Sequence, residues 1–105
     1  MITADEIVKI NELLTNTKSN RNCSGCLSSY LYYDTIEKQI SSIVYSLIKG
    51  HYFIDGNKRT AFTVFITLCK LNGVNPIQTD YIKLFEELAS STLNIDEVSI
   101  KLFGE

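Results

Sequence analysis

No apolar run in the sequence approaches the roughly 18 residues that suggest a membrane span. The opening Met-Ile-Thr-Ala-Asp-Glu also lacks the basic and then apolar regions of a signal peptide. A cytosolic location with no membrane partner is expected. Basic charge is not in excess: Lys and Arg number 10 against 12 Asp and Glu, a net charge of −2. The chain therefore has no global attraction toward the phosphates of DNA or RNA, and no direct nucleic-acid partner is expected. Cysteine is sparse. Cys23, Cys26 and Cys69 cannot all pair with one another, and a reducing compartment keeps them as thiols. Cys23 and Cys26 form a C-x-x-C pair, but a structural zinc needs four ligands and no second pair exists. There is one proline, Pro76, and one histidine, His51.

What is present is ordinary for a folded protein, with 45% hydrophobic and 21% charged residues. The 105 residues suffice for one domain spanning 1–105 and are too few for two, so binding and chemistry must share one core. No repeat or low-complexity segment interrupts it.

Helical periodicity recurs along the chain. Thr3 and Glu6 form a possible capping box ahead of Ile7, Ile10 and Leu14, predicting a helix that ends near Thr15. Residues 16–33 are polar and irregular, with Lys18 and Arg21 read as surface charge and Tyr30, Tyr32 and Tyr33 as packing residues. Asp34 or Thr35 can cap a second helix with Ile36, Ile40, Ile43, Val44, Leu47 and Ile48 on one face and Gly50 as its stop. Further helices are predicted from Thr79 or Asp80, carrying Ile82, Phe85, Leu88 and Ala89, and from Asn94, where Glu97 completes a box ahead of Val98 and Leu102.

The run from Thr60 to Leu71 is ambiguous. Its β-branched and aromatic residues favour a strand by propensity, and Asp55-Gly56 fits a tight hairpin turn before it. Length and the stripe Ala61, Phe62, Phe65, Leu68, Cys69 favour a helix, apolar on all sides and therefore central, that stops at Asn72-Gly73. The expected fold class is all-α, a compact helical bundle around that buried helix.

Residues 50–59 then form a short loop running into the N-terminus of a buried helix. The first turn of any helix leaves about four N–H groups unpaired and carries partial positive charge, which suits an anion. Gly56 permits close backbone approach, and Asn57 can cap with its side-chain oxygen. Lys58 and Arg59 break a local rule, since cations at that end oppose the helix dipole by roughly 0.3–1 kcal/mol each. A triphosphate would compensate them. Asp55 would repel it unless a divalent cation such as Mg²⁺ lay between. Histidine changes charge near neutral pH, so His51 can accept a proton from an attacking hydroxyl.

The nine residues HYFIDGNKR, 51–59, resemble the Fic/Doc pattern H-x-F-x-[D/E]-[G/A]-N-[K/G]-R at every defined position. The resemblance extends from about Tyr33 to Val74 and more weakly beyond. AMP-transferring Fic proteins usually carry Gly at the position of Lys58 and a second Arg at that of Phe62, so both departures point to the death-on-curing (Doc) type. That resemblance implies a toxin that moves the γ-phosphate of ATP to a hydroxyl of a translation protein, elongation factor Tu-like. It implies His51 as general base, Asp55 as Mg²⁺ ligand, Gly56 and Asn57 as anion cradle, Lys58 and Arg59 as phosphate clamps, and Phe53 packed inward. No Ser/Thr-x-x-x-Glu-Gly/Asn restraining helix occurs in these residues, and a Phd-like antitoxin is the expected partner. Gly56 is shared with AMP-transferring loops, which keeps AMP transfer as the alternative, and a non-catalytic peptide-binding module is the alternative from another class.

Overall fold

The computed structural model describes residues 1–18 and 22–104, so Arg21 lies outside the described residues. It contains five α-helices: α1 (Ala4–Thr15), α2 (Ile36–Gly50), α3 (Asn57–Asn72), α4 (Tyr81–Ser90) and α5 (Ile95–Phe103). Two short 3-10 turns, Ser24–Leu27 and Tyr30–Tyr32, lie between α1 and α2, and no strand occurs among the described residues. No helix of the described residues is long and apolar enough to cross a membrane.

The helix starts follow from local side-chain chemistry. Thr3 accepts from the Glu6 N–H while Glu6 accepts from the Thr3 N–H, and Asn94 and Glu97 repeat the arrangement for α5. Thr35, rather than Asp34, caps α2 by accepting from the Lys38 N–H at 3.2 Å. Asp80 caps α4 by accepting from Ile82 and Lys83.

Residues 57–72 are helical, not extended, so burial has overridden β-propensity. Ala61, Val64, Phe65, Leu68 and Cys69 are all buried, packed among Ile40, Ile43, Val44 and Leu47 of α2 and Leu84, Phe85 and Leu88 of α4. A strand would send successive residues to opposite faces, whereas the helix gathers Ala61, Val64, Phe65, Leu68 and Cys69 on one buried stripe. Thr67 satisfies its hydroxyl on the Thr63 carbonyl at 2.7 Å. The helix is not buried on every side: Leu71 is 68% exposed near its end. Phe62, Phe65, Tyr81, Phe85 and Phe103 form a cluster of edge and tilted ring contacts, centroids 5.5–6.4 Å apart, that joins α3 to α4 and α5.

Three expectations need correction. The left-handed residue that ends α2 is His51, at φ 46 and ψ 49, and not Gly50. Gly50 is instead small because a Cβ there would lie 2.2 Å from the Tyr52 ring. On α4, which starts at its Asp80 cap as expected, Ile82 is 78% exposed and Leu84 joins Phe85 and Leu88 on the buried face. Tyr32 is exposed rather than packed.

All three cysteines are buried free thiols. Cys23 donates to the Ala4 carbonyl at 3.4 Å and so ties the first 3-10 turn to the start of α1. Burial pushes Cys26 up to about 12 and Cys69 up to about 11, which leaves both thiols protonated at neutral pH and poor nucleophiles. The folded protein is expected to react slowly with a disulfide reagent at pH 8 and rapidly once unfolded. Fast reaction of Cys26 in the native state would show that the turn does not seat it in the core.

Candidate active site

The last turn of α2, the loop 51–56 and the first turn of α3 build an open cleft of about 410 Å³. Its lining includes His51, Asp55, Gly56, Asn57, Lys58 and Arg59, with Ile48, Ile54 and Ala89 as apolar walls. Every residue nominated from the sequence thus borders one space. Ala89 is brought there by α2: Lys49 donates to the Ala89 carbonyl at 2.9 Å and also to the Ser91 carbonyl, placing a cation at the C-terminus of α4.

α3 differs from the other four helices at its start. α1, α2, α4 and α5 each have a side-chain cap, whereas α3 begins at Gly56, which has none. Its first internal bond is Thr60 N–H to the Gly56 carbonyl at 2.8 Å, so the N–H groups of Asn57, Lys58 and Arg59 precede the helical ladder. No acidic residue lies in its first turn, while α1, α2 and α5 all carry one or two there. Lys58 and Arg59 are exposed, and among the described residues neither has an ion pair or hydrogen-bonded carboxylate to offset the dipole. An uncapped, cation-bearing helix start facing an open cleft can receive an anion by backbone and side chain together.

The loop is held by its own polar groups. The Asn57 carboxamide accepts from the Phe53 N–H at 3.0 Å and donates to the Phe53 carbonyl at 2.8 Å. Its side chain is therefore not the helix cap expected from the sequence; both ends of the amide are committed to closing the loop. Phe53 itself is buried, as expected, and anchors the turn in the core. Asp55 accepts from the Gly56 N–H at 2.8 Å through one carboxylate oxygen, and the residue is exposed. Gly56 adopts φ 74, and a Cβ there would lie 2.8 Å from the Thr15 Cγ2 of α1, so this position combines a left-handed backbone with close helix contact.

The cleft is not a closed metal site. Among the described residues no group of three His, Cys, Asp or Glu could hold an ion. A single exposed carboxylate does fit Mg²⁺ of the kind held by one protein ligand, phosphate oxygens and water.

Two neighbouring features were not read from the sequence. Asn11, buried in α1, donates through Nδ2 to the Asp55 carbonyl at 2.9 Å and to the Thr60 Oγ1 at 3.0 Å. The signal was available, since Asn11 falls on the same helical face as the core residue Ile7. Tyr52 packs against the Cys23–Cys26 turn, where a Cβ on Gly25 would lie 2.6 Å from its hydroxyl, and burial raises its hydroxyl pKa. On the other side of Lys58 and Arg59 lies a second cavity of about 330 Å³, lined by Leu14, Phe62, Tyr81, Ile82 and Phe85. Lys58, Arg59 and Glu86 border it as well.

Comparison with known proteins gives one family: residues 4–69, more than half of the chain, match the model described as Fic/DOC family. No curated protein and no solved structure gives a significant match.

Removing the loop clamp tests this geometry directly. Asn57→Ala loses two hydrogen bonds to Phe53 and is expected to lower the unfolding free energy by about 1–3 kcal/mol, read as a shift in the denaturation midpoint. A change within experimental error would mean that the carboxamide does not close the loop.

Proposed function

The chain belongs to the Fic/DOC family, and from that premise we propose that it is an ATP-dependent transferase that modifies a protein hydroxyl. Transferases using ATP with Mg²⁺ are general in this family. Our finer reading is a Doc-like toxin that phosphorylates a translation protein, elongation factor Tu-like, and that is restrained by a Phd-like antitoxin. The observation that carries it is the uncapped start of α3, where Lys58 and Arg59, without an ion pair among the described residues, border the cleft that His51 and Asp55 also line.

In this reading the N–H groups at the start of α3 take phosphoryl oxygens, with Gly56 allowing close approach and Asn57 contributing its backbone while its side chain holds the loop. Arg59 forks onto phosphate oxygens and Lys58 acts as a movable charge. Asp55 is the residue that would hold Mg²⁺, which when bound screens charge between phosphoryl oxygens. His51 removes the proton from the acceptor hydroxyl as its oxygen bonds to the γ-phosphorus. The bond from that phosphorus to the β-bridging oxygen breaks, and ADP leaves.

Two departures favour γ-phosphoryl over AMP transfer. Lys58 stands where AMP-transferring relatives usually carry Gly. At the position of their second Arg stands Phe62, whose ring lies 5.5 Å from Tyr81 and 5.7 Å from Phe85, so the third position after Arg59 supplies a ring and no further cation. AMP transfer remains the competing chemistry because Gly56 is shared with those enzymes.

Incubation with α-labelled and γ-labelled ATP and a bacterial translation extract separates the readings. Label from the γ position alone is expected on a protein; label from the α position would replace the kinase reading with AMP transfer. His51→Ala is expected to lower the rate by roughly 10²–10⁴-fold with the fold intact. Full toxicity of that variant in cells would instead mark a binding module that needs no catalysis.

A further inference from the structure

We propose that Asn11 of α1 is a positioning residue for the transfer site, fixing the peptide between Asp55 and Gly56. The inference rests on the reading of the loop as a phosphate and Mg²⁺ site, and adds to it a residue outside both the loop and the helix that follows.

Asn11 is 3% exposed, on the face of α1 that packs against the core. A buried amide is costly unless its hydrogen bonds are made, so its partners explain its presence where an apolar residue would pack equally well. Those partners straddle Gly56. One proton goes to the Asp55 carbonyl at 2.9 Å, just before the left-handed glycine. The same nitrogen donates to the Thr60 hydroxyl at 3.0 Å, and Thr60 is the residue whose N–H closes the first α3 hydrogen bond on the Gly56 carbonyl.

The orientation of the Asp55 carbonyl sets ψ of Asp55 and φ of Gly56. Those two angles decide where the Asp55 carboxylate and the free N–H groups of residues 57–59 point. Asn57 holds the far side of the loop through Phe53, and the Asp55 carboxylate holds the Gly56 N–H, but neither reaches the Asp55 carbonyl. Among the described residues Asn11 makes its one hydrogen bond. Thr15, one turn later on α1, seals the arrangement by leaving no room for a Cβ on Gly56. Asn11 does not line the cleft, so it acts through the loop and not on a ligand.

The test compares the full chain with Asn11→Ala, and with Val98→Ala, a core truncation in α5 remote from the loop. Amide hydrogen exchange is followed at Gly56 and Thr60, whose N–H groups are hydrogen-bonded, and affinity for a non-hydrolysable ATP analogue with Mg²⁺ is measured by calorimetry. In Asn11→Ala, exchange of the hydrogen-bonded Gly56 and Thr60 amides is expected to rise by about tenfold or more beyond that in Val98→Ala, and affinity to fall by about tenfold. Thr60→Ser, which keeps the hydroxyl, is expected to match the wild type. Should Asn11→Ala not fold, Asn11→Ser keeps a small polar group too short to reach Asp55 and is read in the same way. Exchange that rises evenly over all helices, as in Val98→Ala, or a loop unchanged from wild type, overturns the proposal. If the wild type binds no nucleotide, the functional reading fails, while the exchange comparison still decides whether Asn11 holds the loop.

Discussion

The constraint on which the structure turns is electrostatic: a helix packed into the core begins with two cations and no cap. Elsewhere the chain follows the ordinary rules, with oxygen-bearing caps on α1, α2, α4 and α5 and carboxylates in the first turns of three of them. At α3 those rules are broken together, and broken at the edge of an open cleft. Positive side chains, N–H groups ahead of the helical ladder and the helix dipole there all favour negative charge, and among the described residues no carboxylate pairs with either cation. The ligand we propose, an anion that carries several phosphoryl groups, would answer all three.

Such a site has value only if the backbone cannot relax, and much of the surrounding structure serves that end. The Asn57 carboxamide closes the loop on Phe53, Phe53 plugs into the core, and α1 packs so closely that Gly56 has room for no side chain. α2 delivers His51 in a left-handed conformation at its own end and, through Lys49, fixes the C-terminus of α4 against the same cleft. Three helices and their caps thus converge on a few residues whose preorganisation would otherwise cost entropy at each binding event.

Much of this was legible in the residue pattern. The all-α class, the capping boxes at Thr3 and Asn94, and the helical stripe through Ala61, Phe65 and Leu68 all agree with the structure, because each rests on spacing that a helix alone explains. The nominated residues of the loop do share one cleft, since they are close in sequence and the helix start gathers them. What spacing could not give was side-chain destination. Asn57 looked like a cap and is a loop clamp; Gly50 looked like a helix stop and is a space for Tyr52; His51 took the left-handed position instead. Each of those outcomes is set by how the chain folds back on itself, the Asn57 amide onto the Phe53 backbone and the Tyr52 ring over Gly50. Asn11 belongs to the same class, 44 residues from its partner Asp55.

The central claim is that phosphoryl groups belong at the start of α3. Titration of the ¹⁵N-labelled protein with a non-hydrolysable ATP analogue and Mg²⁺, followed by amide resonances, tests it most directly. The account predicts that the largest shifts fall on the backbone amides of Asn57, Lys58 and Arg59 and that they require the metal. No shifts at saturating nucleotide, or shifts centred elsewhere in the bundle, would contradict it.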